Sequence, residues 1–288
     1  MSLDIAAFFH AASSTYSYVV ADGAAKHAAV IDPALDYDAA SGRTGTASAQ
    51  KIVEHLKLRD YAVDWILETH AHADHLSAAQ FIKQASGGRA KVAIGEGIRE
   101  VQTTFKTLYN LGQDFTADGK QFDHLFKDGE TFKIGELPVQ VLAMSGHTSD
   151  GVAYLLEDAA FVGDSLFMPD SGTARCDFPG GDAGKLHDSV RRLLDLPEAT
   201  RLFMCHDYAP GGREHRNQTT VEEERRSNIH VKDGVSREDF IKLRQGRDAT
   251  LPVPALLLPA IQVNIRAGRF PEPDANGVVY LRIPVDRF

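Results

Sequence analysis

Cysteine is scarce in this 288-residue chain, which holds only Cys176 and Cys205. Two thiols supply no disulfide framework, so the fold must rest on buried apolar surface, and a reducing, cytoplasmic setting is the simpler expectation. Positive charge is also short. The chain has 31 Lys and Arg against 40 Asp and Glu, a formal net charge of −9. That balance opposes attachment to nucleic acid or to an anionic membrane surface. The opening stretch M-S-L-D-I-A-A-F-F has no basic segment before it, and Asp4 interrupts it, so it does not read as a secretory signal. The longest apolar run, L-P-V-P-A-L-L-L-P-A, is too short for a bilayer and contains Pro252, Pro254 and Pro259. Neither a repeat of solenoid period nor a low-complexity tract is present.

What the chain does have is an apolar fraction of 43%, enough for a sizeable core. Short β-rich runs recur at Tyr18 to Val20, Ala28 to Ile31, Trp65 to Leu67, Val92 to Ile94, Val139 to Ala143, Val152 to Leu156, Ala160 to Val162, and Leu202 to Cys205. Helical periodicity intervenes over 47–58, 96–111 and 183–195, the last with Asp182 as N-cap. The polar segment 114–124 reads as a loop inside one domain. Beyond it, 217–228 reads as an exposed charged helix, and Ser236 with Asp239 as a capping box opening another. Asn276-Gly277 before V-V-Y-L-R-I signals a tight turn into a terminal strand. The expected organisation is a single α+β domain over 1–288, with a core to about residue 215 and a C-terminal helical extension over about 216–288.

The chemistry concentrates in T-H-A-H-A-D-H, residues 69–75, which follows the apolar run Trp65 to Leu67. His70, His72, Asp74 and His75 are strong metal ligands, and a turn at a strand end lets imidazoles and a carboxylate converge on one cation. A solvated polar turn is the plain alternative. Three further candidates also end strand-like runs: His147 after V-Q-V-L-A-M, Asp164 after A-F-V-G, and His206 after R-L-F-M-C. Strands hold such residues at fixed positions while the loops leave room for substrate.

T-H-A-H-A-D-H, S-G-H-T, V-G-D-S and C-H-D-Y, in that order, resemble the metallo-β-lactamase superfamily. The resemblance implies an αββα sandwich with its site on one edge. Within the superfamily, G-D-S-L, A-R-C-D-F and H-D-Y, with the early S-T-Y-S-Y-V-V and V-I-D-P, resemble the persulfide dioxygenases of sulfur metabolism. That implies one Fe(II) per chain on His70, His147 and Asp164, which also form the catalytic centre. Glutathione persulfide, O₂ and water would then yield sulfite and glutathione. Two histidines and a carboxylate on one face of an octahedral iron suit such chemistry. His72, Asp74, His75 and His206 then become groups that orient the ligands.

The same residues permit a rival resembling glyoxalase II. There His70, His72 and His147 hold one zinc, Asp74, His75 and His206 a second, and Asp164 bridges them, so that hydroxide attacks a thioester. A non-catalytic, metal- or sulfur-responsive binding module is a lesser alternative. Glutathione carries two carboxylates, which points to Arg175 in A-R-C-D-F and Arg213 on the Gly-rich loop after Asp207, with Tyr208 as a hydrogen-bond donor. Their plain alternatives are an Arg175–Asp177 pair, a solvated Arg213 and a core-capping Tyr208. Cys205 reads as a small buried hydrophobe, and Cys176 as a residue near the pocket. The extension is expected to serve the pocket wall or a homodimer contact.

Overall fold

A computed structural model of the chain describes residues 2–287. The first half runs β1 (Leu3–His10), β2 (Thr15–Asp22), β3 (His27–Ile31), β4 (Ala34–Asp38), β5 (Arg43–Gly45), α1 (Ala47–Arg59), β6 (Ala62–Leu67) and β7 (Leu76–Ser77). It continues with α2 (Ala79–Ala85), β8 (Lys91–Gly95), α3 (Ile98–Leu108), β9 (His124–Phe126), β10 (Thr131–Ile134) and β11 (Leu137–Ala143). The second half adds β12 (Val152–Leu156), β13 (Ala159–Phe161), α4 (Ala183–Leu194), β14 (Arg201–Phe203) and β15 (Gln218–Thr220). Three helices close it: α5 (Val221–Ser227), α6 (Arg237–Asp248) and α7 (Leu257–Asn264).

Two six-stranded mixed sheets form, in the orders β1-β2-β3-β6-β8-β9 and β10-β11-β12-β13-β14-β15, beside a small sheet β5-β4-β7. Period-2 alternation sends the side chains of each strand to two different cores. Tyr16, Tyr18 and Val20 of β2 meet Val139 and Val141 of β11 and Tyr154 of β12 between the sheets. Val19 and Ala21 face outward into a layer with Ile52 of α1, Ile82 of α2, Phe105 of α3 and Ile261 of α7. On the far side, Leu142, Ala153 and Ala160 pack against Leu186 and Val190 of α4 and Phe240 of α6. The result is an αββα sandwich in which both faces of both sheets are covered. Emptying a central position such as Phe161 costs about 3–5 kcal/mol. Among the described residues no helix is long and apolar enough to cross a membrane.

Local chemistry explains the helix starts. Asp182 accepts a hydrogen bond from the Lys185 amide at 2.8 Å, and Ser236 accepts one from the Asp239 amide at 3.1 Å while bonding the Asp239 carboxylate, so the expected caps form. The opening stretch, to which the sequence assigns no element, is an edge strand, β1, paired antiparallel with β2; its mixed D-I-A-A-F-F pattern hides the period. Two features differ from expectation. Helix α5 is not wholly exposed, because Val221 and Glu224 are fully buried. The expected terminal strand over 278–283 is absent. The turn forms, with Gly277 N–H donating to Asp274 O at 2.8 Å, yet no strand follows. Pro271, Pro273 and Pro284 lack the amide that a ladder needs, and the segment is held instead by Arg282 N–H on Gln262 Oε1 at 2.9 Å.

Candidate metal centre

The ligand candidates lie on one edge of the sandwich, where β6, β11, β13 and β14 end. Hydrogen bonds onto backbone carbonyls between the sheets fix this edge. Val152 N–H donates to Thr69 O at 2.9 Å, Tyr154 Oη to Glu68 O at 2.8 Å, and Tyr16 N–H to Cys205 O at 2.7 Å. Gly146, just before His147, has φ +136°, and a Cβ there would lie 2.2 Å from the Leu186 amide nitrogen of α4. Only glycine lets the S-G-H turn approach that helix so closely.

The donor atoms of His70, His147 and Asp164 all lie within 4.8 Å of one another. His70 Nε2 is 3.6 Å and His147 Nε2 3.8 Å from Asp164 Oδ2. His72, Asp74, His75 and His206 form a second group of the same compactness. In it His206 Nε2 stands 3.3 Å from Asp74 Oδ2, and His75 Nδ1 stands 3.5 Å from the same oxygen. Asp164 links the two groups, since its Oδ1 is 3.2 Å from His206 Nε2. The His72 ring lies 3.9 Å from that of His70 between centroids, and its Nε2 stands 3.0 Å from a buried carboxylate oxygen, Asp32 Oδ1.

The arrangement fits a cation. Nε2 of His70, His75 and His206, both nitrogens of His72 and Oδ1 of Asp164 are buried and have no well-formed hydrogen bond among the described residues. Each such orphan costs about 1–3 kcal/mol, so a convergent set of them is a donor shell without its acceptor. Burial, reinforced by His72, holds the His70 imidazole well below its ordinary value and hence neutral, as ligation requires. Burial opposes charge on His206 as well, but Asp164 and Asp74 outweigh it and carry that imidazole up to about 10. His147 Nδ1 donates to Arg175 O at 2.7 Å, which leaves the Nε2 lone pair facing Asp164.

Sequence reasoning missed the groups that hold these turns. Asp32 accepts from Thr69 N–H at 2.7 Å and from Thr69 Oγ1 at 2.9 Å, and Asp150 accepts from Ala71 N–H at 2.8 Å. Asn264, at the end of α7, donates to both His72 O and His75 O at 2.8 Å and accepts from Ser77 N–H at 2.8 Å. Asp32 carried a signal, as an acid ending the run V-I-D-P. Asn264 carried none.

A cavity of about 710 Å³ opens onto the centre. Asp74, His147 and Asp164 form its floor, Phe167, Phe178, Leu251 and Leu256 give it an apolar wall, and Tyr208 stands at its mouth. The Tyr208 ring stacks on His206 at 5.7 Å between centroids. The extension therefore builds pocket wall. Arg175 lines the cavity, but its guanidinium is forked onto Asp177 at 2.6 Å and bonds Pro252 O at 2.6 Å. Arg213 is forked onto both Asp170 and Asp207, at 2.6–2.8 Å, and does not line the cavity. Arg247 also lines the cavity and pairs with no carboxylate among the described residues. Both cysteines are free and buried, and burial pushes the Cys176 thiol up to about 12.

Comparison with known proteins agrees with this geometry. The family model described as Metallo-beta-lactamase superfamily matches residues 11–206. The chain is 49% identical to a probable metallo-hydrolase of Burkholderia pseudomallei, over 99% of each chain. It is 50% identical to Glyoxylase B2 of Dictyostelium discoideum, over 95% of this chain and 94% of that one. Identity to the mitochondrial persulfide dioxygenase ETHE1 of Homo sapiens is 30%, over 90% and 87%. The crystal structure of ETHE1 from Myxococcus xanthus superposes with a TM-score of 0.73 at 30% identity, covering 93% of this chain and all of that one. The chain therefore belongs to the metallo-beta-lactamase superfamily, with proteins named as persulfide dioxygenases among its relatives.

Proposed function

We propose that the protein is a persulfide dioxygenase that oxidises glutathione persulfide with O₂ and water to sulfite and glutathione, using one Fe(II) held by His70, His147 and Asp164. The observation that carries this reading is the division of the donors. His70, His147 and Asp164 form a compact set of two imidazoles and one carboxylate, whereas His72 is not grouped with them and has its Nε2 3.0 Å from Asp32 Oδ1. When bound, Fe(II) supplies the redox step between a sulfur anion and O₂. The chain's own residues do the rest. Asp164 and the two imidazoles present their donors from fixed turns, and Arg175 O holds the His147 ring in one tautomer. The apolar wall of Phe167, Phe178, Leu251 and Leu256 keeps bulk water from the reacting sulfur. Tyr208 offers a phenolic donor at the mouth. Arg247, rather than the doubly paired Arg213, is the guanidinium left for a substrate carboxylate. The two free thiols support a reducing, cytoplasmic location.

The second group of donors favours a second reading, a dinuclear zinc thioester hydrolase, as does the likeness to a protein named Glyoxylase B2. Anaerobic purification with metal analysis, paired with oxygen uptake on glutathione persulfide and cleavage of a glutathione thioester, separates the two. One iron and oxygen consumption support the first reading. Two zinc ions and thioester cleavage without oxygen uptake refute it.

A further inference from the structure

Among the described residues the largest fully buried side chain is a charged one, Arg244 of α6. Its Nε and Nη2 reach Asp248 Oδ1 at 2.9 and 2.7 Å, and its Nη1 donates to Thr173 O at 3.0 Å. The other carboxylate oxygen, Asp248 Oδ2, accepts from Cys176 N–H at 2.8 Å. The ion pair therefore grips both ends of one short segment, by a carbonyl at Thr173 and an amide at Cys176. Between those grips lies Arg175, whose carbonyl accepts from His147 Nδ1.

The same segment is held from its other side by the extension. Asn228 Nδ2 donates to Gly172 O at 3.2 Å, and His230 Nδ1 accepts from Thr173 N–H at 2.9 Å. Gly172 has φ +83°, and a Cβ there would lie 2.1 Å from His230 Nδ1, so the contact needs glycine. Segment 172–176 is neither helix nor strand. Its shape is set by side chains that follow it by more than fifty positions, as the template of a casting sets a cast.

We infer that the buried Arg244–Asp248 pair is a positioning device for His147, acting through the backbone of residues 173–176. A buried ion pair is a poor source of stability, because desolvation offsets most of its attraction and apolar residues of similar volume commonly serve as well. What it offers is directional: one fixed donor and one fixed acceptor at a set separation. A carbonyl held at that spot fixes the ring orientation and tautomer of a histidine ligand and raises its basicity. The inference rests on the reading of His147 as a ligand. Arg244 lines the same cavity, but its guanidinium is committed to Asp248 and to Thr173 O.

The test is the double variant Arg244→Met/Asp248→Leu in the full chain, which removes both charges without stranding either. Co(II) and Fe(II) affinities are measured anaerobically by chelator competition, and the exchangeable His147 Nδ1 proton is followed in the Co(II) protein. The expected result is about a 10–100-fold weaker affinity, the range typical of lost ligand-orienting partners, together with a shifted or lost Nδ1–H resonance. Ile52→Ala, in the core under α1 on the opposite face, serves as a control for general destabilisation and is expected to bind metal as wild type. Affinity of the double variant within about twofold of wild type overturns the inference, as does an equal loss in Ile52→Ala. His147→Ala is run in parallel: undiminished binding there sinks the ligand reading itself, whereas loss there with retention in the double variant sinks only the positioning role. If the double variant does not fold, Asp248→Asn is read by the same criteria.

Discussion

Replacing Asp164 and Asp74 separately by Ala gives the sharpest measure of the centre. Asp164 contributes one of three donors that share a 4.8 Å neighbourhood with His70 and His147, and it is the sole carboxylate there. Asp74 lies instead 3.3 Å from His206 Nε2 and 3.5 Å from His75 Nδ1. On the one-iron reading, Asp74 only orients neighbours, so its loss costs about 10–100-fold in affinity, or roughly 1.4–2.7 kcal/mol. Loss of Asp164 removes a ligand and its charge, and the cost rises beyond about a thousandfold, or roughly 4 kcal/mol. Both variants are to be reconstituted with Fe(II) without oxygen, desalted and assayed for iron by chelator competition, with thermal melts of the metal-free proteins as a control on folding. Asp164→Ala is expected to emerge almost iron-free, and Asp74→Ala to keep much of its iron. A matching collapse in both, with two metals per chain in wild type, refutes the division of the donors.

Arg247→Ala is expected to raise KM for glutathione persulfide about tenfold or more with little change in kcat, and to leave a persulfide without carboxylates unaffected; steady-state oxygen uptake decides. Cys176→Ser is expected to keep activity within about twofold, because a buried thiol raised to about 12 is not a thiolate near neutrality; the same assay checks it. Glu224 has its carboxyl pushed by burial from 4.5 up to about 8, so the folded chain holds that proton more tightly than the unfolded one. Its contribution is whole below about pH 4.5 and is lost as pH rises toward 8, by at most roughly 5 kcal/mol at about 1.4 kcal/mol per unit. Urea unfolding of Glu224→Gln should therefore show a flatter decline over that window and a gain over wild type at pH 8.

The two sheets and the donors that end their strands are legible because the signal is local. Each of His70, His147, Asp164 and His206 follows an apolar run of strand length, and the helical periods at 47–58 and 183–195 match α1 and α4 almost to the residue. What sequence could not convey was pairing at a distance. Arg213 stands in a loop rich in glycine, a setting that suggests a free ligand contact, yet Asp170 and Asp207 both claim it. The charged stretch before residue 228 suggests a solvated helix, yet Glu224 and Asn228 bond each other in the interior at 2.6 Å. Asn264 sits among apolar neighbours, and nothing in its surroundings announces that it ties down the first histidine turn. The terminal strand failed for the opposite reason: its own pattern is β-like, but no sheet edge receives it.

The clamp on the two turns also has a temporal side. A ribosome produces all four strand-end donors by residue 206, before Asn228, His230, Arg244, Asp248 and Asn264 exist. A nascent chain at that stage owns every donor, and has Asp32 and Asp150 in place, but lacks the struts that the extension supplies, so a chain cut short after residue 206 would carry donors that nothing on the C-terminal side aims.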